Sequence, residues 1–392
     1  MMKKDWEIKK LGEIVDFYRG LTYSKKDEVD FSDNVVLRSN NVDLTTNCLD
    51  FSELKYINSK IKIPENKKVK KGSLLICTAN GSKIHLGKVA LIDKDYNYAF
   101  GGFMGLIIPK KIVHPEFLYY LMISETYKKF ITKLSDGVNI NNLKFGYLEN
   151  FEVQLPPLLE QQRIVSVIDK CFTAINKTKA NTEQNLKNAK ELFYSYLQGL
   201  FKNEEWEKYK IENVCIEIFA GGDAPKNNFS EEPNERYSIP IYANAIKEKG
   251  LYGYTDFARV TKPSVTISAR GSGTGHTELR TENYLPIVRL IVCIPDTKKI
   301  TLEFLKLSID NLEIMRSGSA IPQLTVPMIN NYSIPLPSLQ EQQSIVRQLD
   351  SLKTQTQKLE TVYNKKISDL EELKKSILQD AFRGKLTAEA AK

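Results

Sequence analysis

Apolar residues recur at alternating spacings of three and four in two long stretches of the chain. One stretch runs from Ile164 to Tyr196 and the other from Ile345 to Ile377. A pattern of this kind predicts two helices, each with a single apolar stripe. The predicted stripe positions are Ile164, Ile168, Cys171, Ile175, Thr178, Thr182, Asn185, Ala189, Leu192 and Tyr196 in the first helix, and Ile345, Leu349, Leu352, Thr356, Leu359, Tyr363, Lys366, Leu370, Leu373 and Ile377 in the second.

Prolines and glycines set the expected ends of the two helices. Pro157 and Pro337 are tolerated at a helix start and bias the residue before them toward extended backbone, so each helix is predicted to begin after them. Neither stretch contains a further proline or glycine before Gly199 and Gly384, where the helices are predicted to end. Each helix is then about 40 residues, or roughly 60 Å, long.

An apolar stripe of this length cannot face water along a whole helix, so each helix needs a partner surface. The other helix is the simplest partner, and the two are predicted to pair antiparallel as a coiled coil. Polar stripe positions such as Thr178 and Thr356 would then set the register at some cost in stability. The alternative is that each helix packs only on its own globular domain.

The rest of the chain consists mainly of short apolar runs separated by turn residues. Such runs predict β-strands. They are NVVLRSN, GSLLICTANGS, KVALID and FMGLIIPK in the first region, and YSIPIYAN, PSVTISARGSG and LPIVRLIVCIP in the second. Each region also has one amphipathic helical segment, HPEFLYYLMISETYKKFITKL or TLEFLKLSIDNLEIMR. The sequence therefore predicts two mixed α/β domains.

The two halves of the chain repeat one design. The segment LPPLLEQQRIV from Leu155 occurs again as LPSLQEQQSIV from Leu336, 181 residues later. An alignment of the chain with itself at this offset of 181 residues, without gaps, extends through both helices. The two tryptophans, Trp6 and Trp206, open similar segments in each half. A repeat of this length indicates duplication of a whole domain. The predicted boundaries are residues 1–155 and 204–336 for the domains, 156–203 and 337–384 for the helices, and 385–392 for a tail.

Composition is that of a water-soluble protein. Hydrophobic residues make up 42% of the 392 residues and charged residues 27%. No run approaches the roughly 20 apolar residues of a membrane span, and the lysine-rich amino terminus has no apolar run behind it to form a signal peptide. We therefore expect a cytoplasmic protein with no membrane partner. A formal net charge of +8 suits a polyanionic partner but does not prove one.

Tests for catalytic motifs fail. The glycine-rich run from Ser268 to His276 follows a predicted strand but lacks the Lys-Ser/Thr of a phosphate loop. The segment LPPL lacks the polar and aromatic residues with which adenine methyltransferases hold a flipped base. Asp296 and Glu303 do not have the spacing of paired metal-binding carboxylates. The sequence therefore predicts a protein that is not an enzyme and holds no metal or cofactor.

Several of these segments together resemble the specificity subunits of type I restriction-modification systems. They are the paired segments LPPLLEQQRIV and LPSLQEQQSIV, the preceding SDGVNINNL and RSGSAIPQL, and the strand-loop segments LLICTANGSKIHLGKVA and VTISARGSGTGH. The resemblance covers nearly the whole chain. One departure is that CTANGS stands in the first domain where the second has SARGS, so an arginine at that position is not shared.

The resemblance implies a fold and a set of partners. The fold is α/β, with two target-recognition domains related by internal repeat and separated by two long antiparallel coiled-coil helices. Each domain would read one half of a split site in double-stranded DNA. The helices would space the half-sites about one DNA turn, roughly 34 Å, apart and dock two methyltransferase subunits. Those subunits would carry S-adenosylmethionine for adenine methylation, and two motor-nuclease subunits would use ATP for translocation and cleavage.

Base reading requires hydrogen-bonding side chains aimed at base edges, and positioning requires cations at phosphates. Polar loops that follow apolar strands are the predicted sources of both, although each such residue could also be an ordinary loop residue. The candidate DNA contacts are Arg38, Asn40, Asn41, Asn80, Ser82 and Lys83 in the first domain, and Tyr242, Asn244, Arg270, Ser272, Thr274 and His276 in the second.

The polar residues at the start of each long helix are candidates for partner docking. They are Glu160, Gln161 and Gln162 in the first copy, and Glu341, Gln342 and Gln343 in the second. The glutamines could hydrogen-bond the preceding linker or a partner subunit, or simply be solvated. Two other functions stay open at this point: an assembly or decoy protein that binds the methyltransferase without reading DNA, and a standalone DNA-modifying enzyme.

Overall fold

The computed structural model describes residues 5–137, 142–202, 205–271, 273–312 and 323–386. The chain divides into two compact units. Unit 1 comprises Met1–Glu183 and Lys365–Lys392, and unit 2 comprises Gln184–Asn364. Each unit therefore contains one globular domain together with part of each long helix. No helix in the described part of the chain is long and apolar enough to cross a membrane.

The first globular domain is a mixed α/β structure. Its strands are β1 (Glu7–Lys10), β2 (Val15–Arg19), β3 (Glu28–Val29), β4 (Asn34–Leu37), β5 (Lys55–Ile57), β6 (Leu74–Cys77), β7 (Val89–Leu91), β8 (Ala99–Phe100), β9 (Met104–Pro109) and β10 (Glu152–Leu155). Its helices are α1 (Leu11–Ile14), α2 (Pro115–Ile123), α3 (Glu125–Gly137) and α4 (Phe145–Leu148), and α5 (Leu158–Phe201) follows. The strands form sheets of order β2-β9-β6-β7, β3-β5-β4-β8 and β1-β10.

The second globular domain has the same kind of structure. Its strands are β11 (Lys208–Lys210), β12 (Cys215–Ala220), β13 (Ile239–Tyr242), β14 (Leu251–Thr255), β15 (Ser264–Ile267), β16 (Thr277–Arg280), β17 (Leu285–Pro286), β18 (Ile291–Pro295) and β19 (Ser333–Pro335). Its helices are α6 (Ile211–Val214), α7 (Leu302–Asp310) and α8 (Val326–Asn331), and α9 (Leu339–Phe382) follows. The sheets have the orders β12-β18-β15-β16, β14-β13-β17 and β11-β19.

Strand pairing shows the duplication directly. In the first domain β4 pairs antiparallel with β5 and parallel with β8. In the second, β13 pairs antiparallel with β14 and parallel with β17. The sheet β2-β9-β6-β7 also corresponds strand by strand to β12-β18-β15-β16, with the fully buried strands β6 and β15 in equivalent central positions. The prediction of two α/β domains related by internal repeat is confirmed, although their strands share little sequence.

The amino-terminal strand of each domain pairs with the strand that leads into the long helix. Glu7 lies opposite Leu155 in the β1-β10 pair, and Lys208 lies opposite Pro335 in the β11-β19 pair. The first and last strands of a domain are therefore hydrogen-bonded neighbours. This pairing explains why the tryptophan segments and the LPPL or LPSL segments repeat together.

The long helices begin where the prolines predict, at Leu158 and Leu339. At the second start, Ser338 and Glu341 cap each other, because the Glu341 carboxylate accepts from the Ser338 backbone N–H at 2.9 Å and its backbone N–H donates to Ser338 Oγ. The second helix ends just before Gly384, which adopts a left-handed φ of 72° as predicted. The predicted end at Gly199 is wrong, since α5 continues to Phe201.

The predicted stripes are correct near the start of each helix and shift by one position toward its end. Ile164, Ile168, Ile345 and Leu349 are buried. In the second half of α5 and α9 the predicted stripe residues Asn185, Leu192, Tyr196, Lys366 and Leu373 are exposed, although Thr182 and Ala189 stay buried. Phe193, Leu197 and Leu200 are instead packed against the core of the second domain, and Leu378 and Ala381 are in the core of the first. An α-helix has 3.6 rather than 3.5 residues per turn, so a straight stripe leaves the heptad positions after a few turns.

Within unit 1 the two helices run antiparallel. Lys374 Nζ lies 5.7 Å from the centre of the Phe172 ring, and further along α5 the Lys179 ammonium lies 2.6 Å from the Glu371 carboxylate. The start of α5 also joins the core of the first domain, which contains Phe117. The predicted antiparallel pairing of the helices is therefore confirmed, and the alternative that each helix packs only on its own domain is wrong.

Two other predictions need correction. The amphipathic segment that follows His114 is not one helix, because it is interrupted at Ser124, whose hydroxyl donates to Leu121 O. The run LPIVRLIVCIP is not one strand, because a turn separates β17 from β18. That turn lies at the candidate functional site.

Candidate nucleic-acid interface

Three loops of the first domain meet beyond the ends of β4, β6 and β8. Asn80 Nδ2, after β6, donates to Ser39 Oγ, after β4, at 2.9 Å. Gly101 N, after β8, donates to Leu37 O at 2.9 Å. Strands β4 and β8 are parallel, so the loops after them leave the sheet at the same edge.

These loops line a cleft of about 940 Å³. Of the six predicted DNA contacts in this domain, three line the cleft, namely Arg38, Asn40 and Asn80. Ser82 and Lys83 are exposed in the loop after β6, outside the lining. The structure thus brings together predicted residues that lie about 40 positions apart in the sequence.

Sequence reasoning missed the other walls of the cleft. They come from the segment after β2 and from the turn between β8 and β9, and the residues concerned are Leu21, Thr22, Tyr23, Lys25, Gly101, Gly102, Phe103 and Met104. The Gly101-Gly102 pair was the available signal, because glycines beside a strand often mark a close backbone approach. Phe103 is 73% exposed at this turn.

Glu53 is a further lining residue that sequence reasoning missed. Its carboxylate lies 3.3 Å from Arg38 Nη2 and 3.2 Å from Asn40 Nδ2. Glu53 follows no apolar strand, so the pattern that selected the other candidates could not select it.

Asn41 is not positioned to contact DNA, in contrast to the prediction. It is 1% exposed, and its amide accepts from Arg38 N at 2.8 Å and donates to Asp50 O and Glu53 O. A buried amide whose two ends are both used has no group left for a base edge. Asn41 instead fixes the loop after β4 to the segment that carries Glu53.

The corresponding three loops of the second domain are joined by Asn244. Its Oδ1 accepts from Ala269 N at 2.8 Å, and its Nδ2 donates to Val288 O. These partners lie in the loops after β15 and β17. The half-buried amide of Asn244 therefore shapes the loops, and its contact with a base stays a prediction.

Tyr242 belongs to a polar cluster that the sequence did not reveal. Its hydroxyl donates to the Glu282 carboxylate at 2.8 Å, and the Arg280 guanidinium lies 3.5 Å from the centre of its ring. Burial, with the neighbouring Glu282 carboxylate, raises the pKa of Tyr242 to about 12. Arg280 is only 3% exposed and also donates to Lys249 O. Tyr242 is thus held by its own domain.

The glycine-rich loop after β15 carries the remaining candidate DNA contacts, and they differ in exposure. Arg270 is exposed and forms a β-bridge with Gln323. Thr274 is buried and its hydroxyl donates to Gly271 O at 2.7 Å, so it supports the loop and is not a surface contact. His276 is half-buried, with Nε2 3.0 Å from the Glu278 carboxylate. Ser272 lies outside the described residues.

The turn after β17 carries backbone strain. Val288 and Arg289 have φ values of 50° and 62°, a conformation that β-branched residues rarely adopt. Both are exposed. This turn corresponds to the Gly102–Phe103 turn of the first domain. Gly101 N, just before that turn, donates to Leu37 O at the end of β4, and Ile287 N donates in the same way to Tyr242 O at the end of β13. The strained turn therefore presents Arg289 where the first domain presents Phe103.

The glutamines at the helix starts separate into two classes. Gln161 and Gln342 are fully buried. Gln161 accepts from His114 N at 2.8 Å and donates to Ile112 O and to Pro156 O in the linker. Gln342 makes the same three contacts with Thr301 N, Lys299 O and Pro337 O.

These two side chains are therefore unavailable to a partner subunit, which corrects the docking prediction and supports the linker alternative. Gln162 and Gln343 are exposed, so their docking role stays a prediction. Glu341 caps its own helix, and this contact with Ser338 lowers the pKa of its carboxyl. Glu160 lies 4.0 Å from Arg163 of the same helix turn.

Among the described residues, no group of three or more His, Cys, Asp and Glu side chains is arranged to hold a metal ion. The polar side chains of the loops include amides, hydroxyls, arginines, lysines and carboxylates. Such groups donate to and accept from base edges and phosphates.

Comparison with known proteins gives one consistent result. A family model described as the type I restriction modification DNA specificity domain matches residues 3–188 and 203–369, which include both globular domains. The specificity subunit of the type I restriction enzyme EcoKI from Escherichia coli (strain K12) is 23% identical over 430 residues, covering 99% of this chain and 90% of that protein.

Solved structures show the same fold. A chain from a structure concerned with complex assembly and conformational transition of the type I R-M system superposes with a TM-score of 0.74 at 20% identity, covering 98% of this chain and 99% of the other. The HsdS subunit from Thermoanaerobacter tengcongensis superposes with a TM-score of 0.68 at 20% identity, covering 98% of each chain.

Proposed function

Since this chain belongs to the family of type I restriction-modification specificity subunits, we propose that each of its two target-recognition domains reads one half of a split DNA site. The observation that carries the proposal is the duplication itself. Both domains match the family model, and both bring together the loops that follow equivalent strands, β4, β6 and β8 or β13, β15 and β17. Two similar but diverged readers in one chain suit a target with two different halves.

The proposal assigns no chemical step to this chain. It supplies sequence reading, and the methyl transfer, DNA translocation and cleavage belong to partner subunits. Two methyltransferase subunits would bring S-adenosylmethionine, and two motor-nuclease subunits would bring ATP. Exposed apolar side chains on the long helices support docking there, notably Leu159 (72% exposed) and Tyr194 (64% exposed).

The test is binding by the purified complex of this chain with its cognate methyltransferase subunit. Phosphate contacts alone weaken steeply as salt rises, whereas base contacts preserve a preference for one sequence. We expect the complex to select one split sequence from a random pool at moderate salt. A complex that forms but shows no preference would favour the assembly or decoy alternative, and S-adenosylmethionine binding by the isolated chain would favour the enzyme alternative.

Arg270→Ala is expected to weaken binding to the cognate site by about 1–3 kcal/mol and to relax the preference at one position of one half-site. The reason is that Arg270 is an exposed donor in the loop after β15, the loop that corresponds to the one carrying Asn80 after β6. Its bridge to Gln323 places it where Ala79, which bridges Asn142, stands in the first domain. Competition binding against single-base variants of the site measures both effects.

Lys262→Ala is the matched control for Arg270→Ala, because Lys262 is an exposed cation of the same domain outside this loop. An equal loss on every sequence would make Arg270 a phosphate contact. An unchanged affinity would remove it from the interface.

A further inference from the structure

The cleft of the first domain contains a carboxylate that DNA backbone binding does not explain. Phosphates repel carboxylates, yet Glu53 lines the cleft with 75% of its side chain exposed. It lies within 3.3 Å of Arg38 and 3.2 Å of Asn40, so it is oriented by two donors while most of its surface stays accessible.

The charges of the cleft are balanced. Its charged lining residues are Lys25, Glu28, Arg38 and Glu53, two of each sign. Glu28 is held by Lys55 at 2.8 Å, and this hydrogen bond lowers the pKa of the Glu28 carboxyl, so the carboxylate is the favoured form. A site that neutralises phosphates needs an excess of cations. The cleft is therefore suited to base edges rather than to the DNA backbone.

A buried residue fixes the distance between Arg38 and Glu53. Asn41 accepts from Arg38 N at 2.8 Å and donates to Glu53 O at 2.8 Å, so both backbones are held by one amide. The guanidinium and the carboxylate are thereby placed side by side before DNA arrives. Such preorganisation reduces the cost of ordering side chains on binding.

An ionised carboxylate only accepts hydrogen bonds, and a guanidinium only donates them. In the major groove, cytosine presents its N4 amine as a donor, and guanine presents O6 and N7 as acceptors. A neighbouring carboxylate and guanidinium together match the two edges of one cytosine-guanine pair.

We propose that Glu53 and Arg38 read a single cytosine-guanine base pair in one half-site, with Glu53 accepting from the cytosine amine and Arg38 donating to guanine. This inference rests on the proposed function, that the first domain reads DNA. Asn41 is then a positioning residue that acts through its two neighbours.

The test is a map of adenine methylation in cells that express the full chain, as wild type or Glu53→Gln, with its cognate methyltransferase subunit. Glutamine keeps the shape of the side chain but adds donors and removes the charge. We expect one cytosine-guanine position in one half-site to lose discrimination by about 10-fold or more, while the other half-site is unchanged. Arg38→Gln is expected to relax the same base pair.

Glu65→Gln is the control, because Glu65 is an exposed glutamate of the same domain that pairs with Lys68 at 2.6 Å outside the cleft. Its map should equal that of the wild type. Retention of the second half-site in the Glu53 and Arg38 variants shows that the complex is assembled.

Three results of the methylation maps would overturn the inference while leaving the proposed function intact. The first is an unchanged motif in Glu53→Gln, and the second is relaxation of two different base pairs by Glu53→Gln and Arg38→Gln. The third is an equal rise in methylation at matching and mismatching sites in Glu53→Gln, which would mean that Glu53 only masks Arg38. If the wild-type chain produces no split motif, the proposed function itself fails and the inference fails with it.

Discussion

Gln161→Leu is expected to lower the free energy of unfolding of the first domain by about 3–5 kcal/mol. Leucine fills a similar volume but leaves His114 N, Ile112 O and Pro156 O without their partner, and each unpaired buried group costs about 1–3 kcal/mol. Gln342→Leu should have an equal effect on the second domain, because the same three contacts are repeated there. Urea unfolding followed by circular dichroism measures both.

The next residue in each repeat supplies the control. Gln162 and Gln343 are exposed, so Gln162→Leu and Gln343→Leu should change stability by less than about 0.5 kcal/mol. If the buried and the exposed glutamine of a pair had equal effects on stability, the hydrogen bonds of the buried one would not hold the helix start in place. Each domain uses its own buried glutamine to join linker, helix and core, which explains why the segment occurs twice.

Gly20→Ala is expected to abolish recognition of one half-site and to destabilise the first domain by about 3 kcal/mol. A Cβ at this position would lie 1.9 Å from Gly101 O, so the two backbones would have to separate. Leu21 and Gly101 both line the cleft, and their separation would change the cleft directly. Selection of binding sites from a random pool by the purified complex should recover only the other half-site.

Gly146→Ala is the matched control for Gly20→Ala. Gly146 is exposed in α4, and nothing lies within 4 Å of the Cβ that alanine would add. This variant should select the wild-type motif. A Gly20→Ala complex that also selects the full motif would show that the backbone contact between Gly20 and Gly101 is not needed for reading.

Much of the architecture follows from sequence patterns because those patterns reflect burial. Strands such as Leu74–Cys77 are fully buried and read as short apolar runs, and the helix starts follow from Pro157 and Pro337. The internal repeat could be identified without a structure, since the two halves share identical residues in the sequence. The shift of the helical stripe, with Leu192 exposed and Phe193 packed against the core, required coordinates because it accumulates from a small difference in period.

The candidate interface was only partly predictable. Polarity after a strand located Arg38, Asn40 and Asn80, but it could not separate an exposed side chain from one used to build the loop. Asn41 has the same residue type and setting as Asn40, but it is buried and both ends of its amide bond its own domain. Asn80 and Asn244 are half-buried and also bond their own loops. Glu53 was missed because it follows no apolar strand, and only its distance to Arg38 reveals a role.

The most direct test of the central claim is a single-molecule adenine-methylation map of DNA from cells that express this chain with its cognate methyltransferase subunit, compared with cells that lack only this chain. We expect a split motif with a fixed unspecified spacer that disappears with the chain. A folded complex whose methylation pattern does not depend on the chain would contradict DNA reading and leave assembly or decoy function in its place.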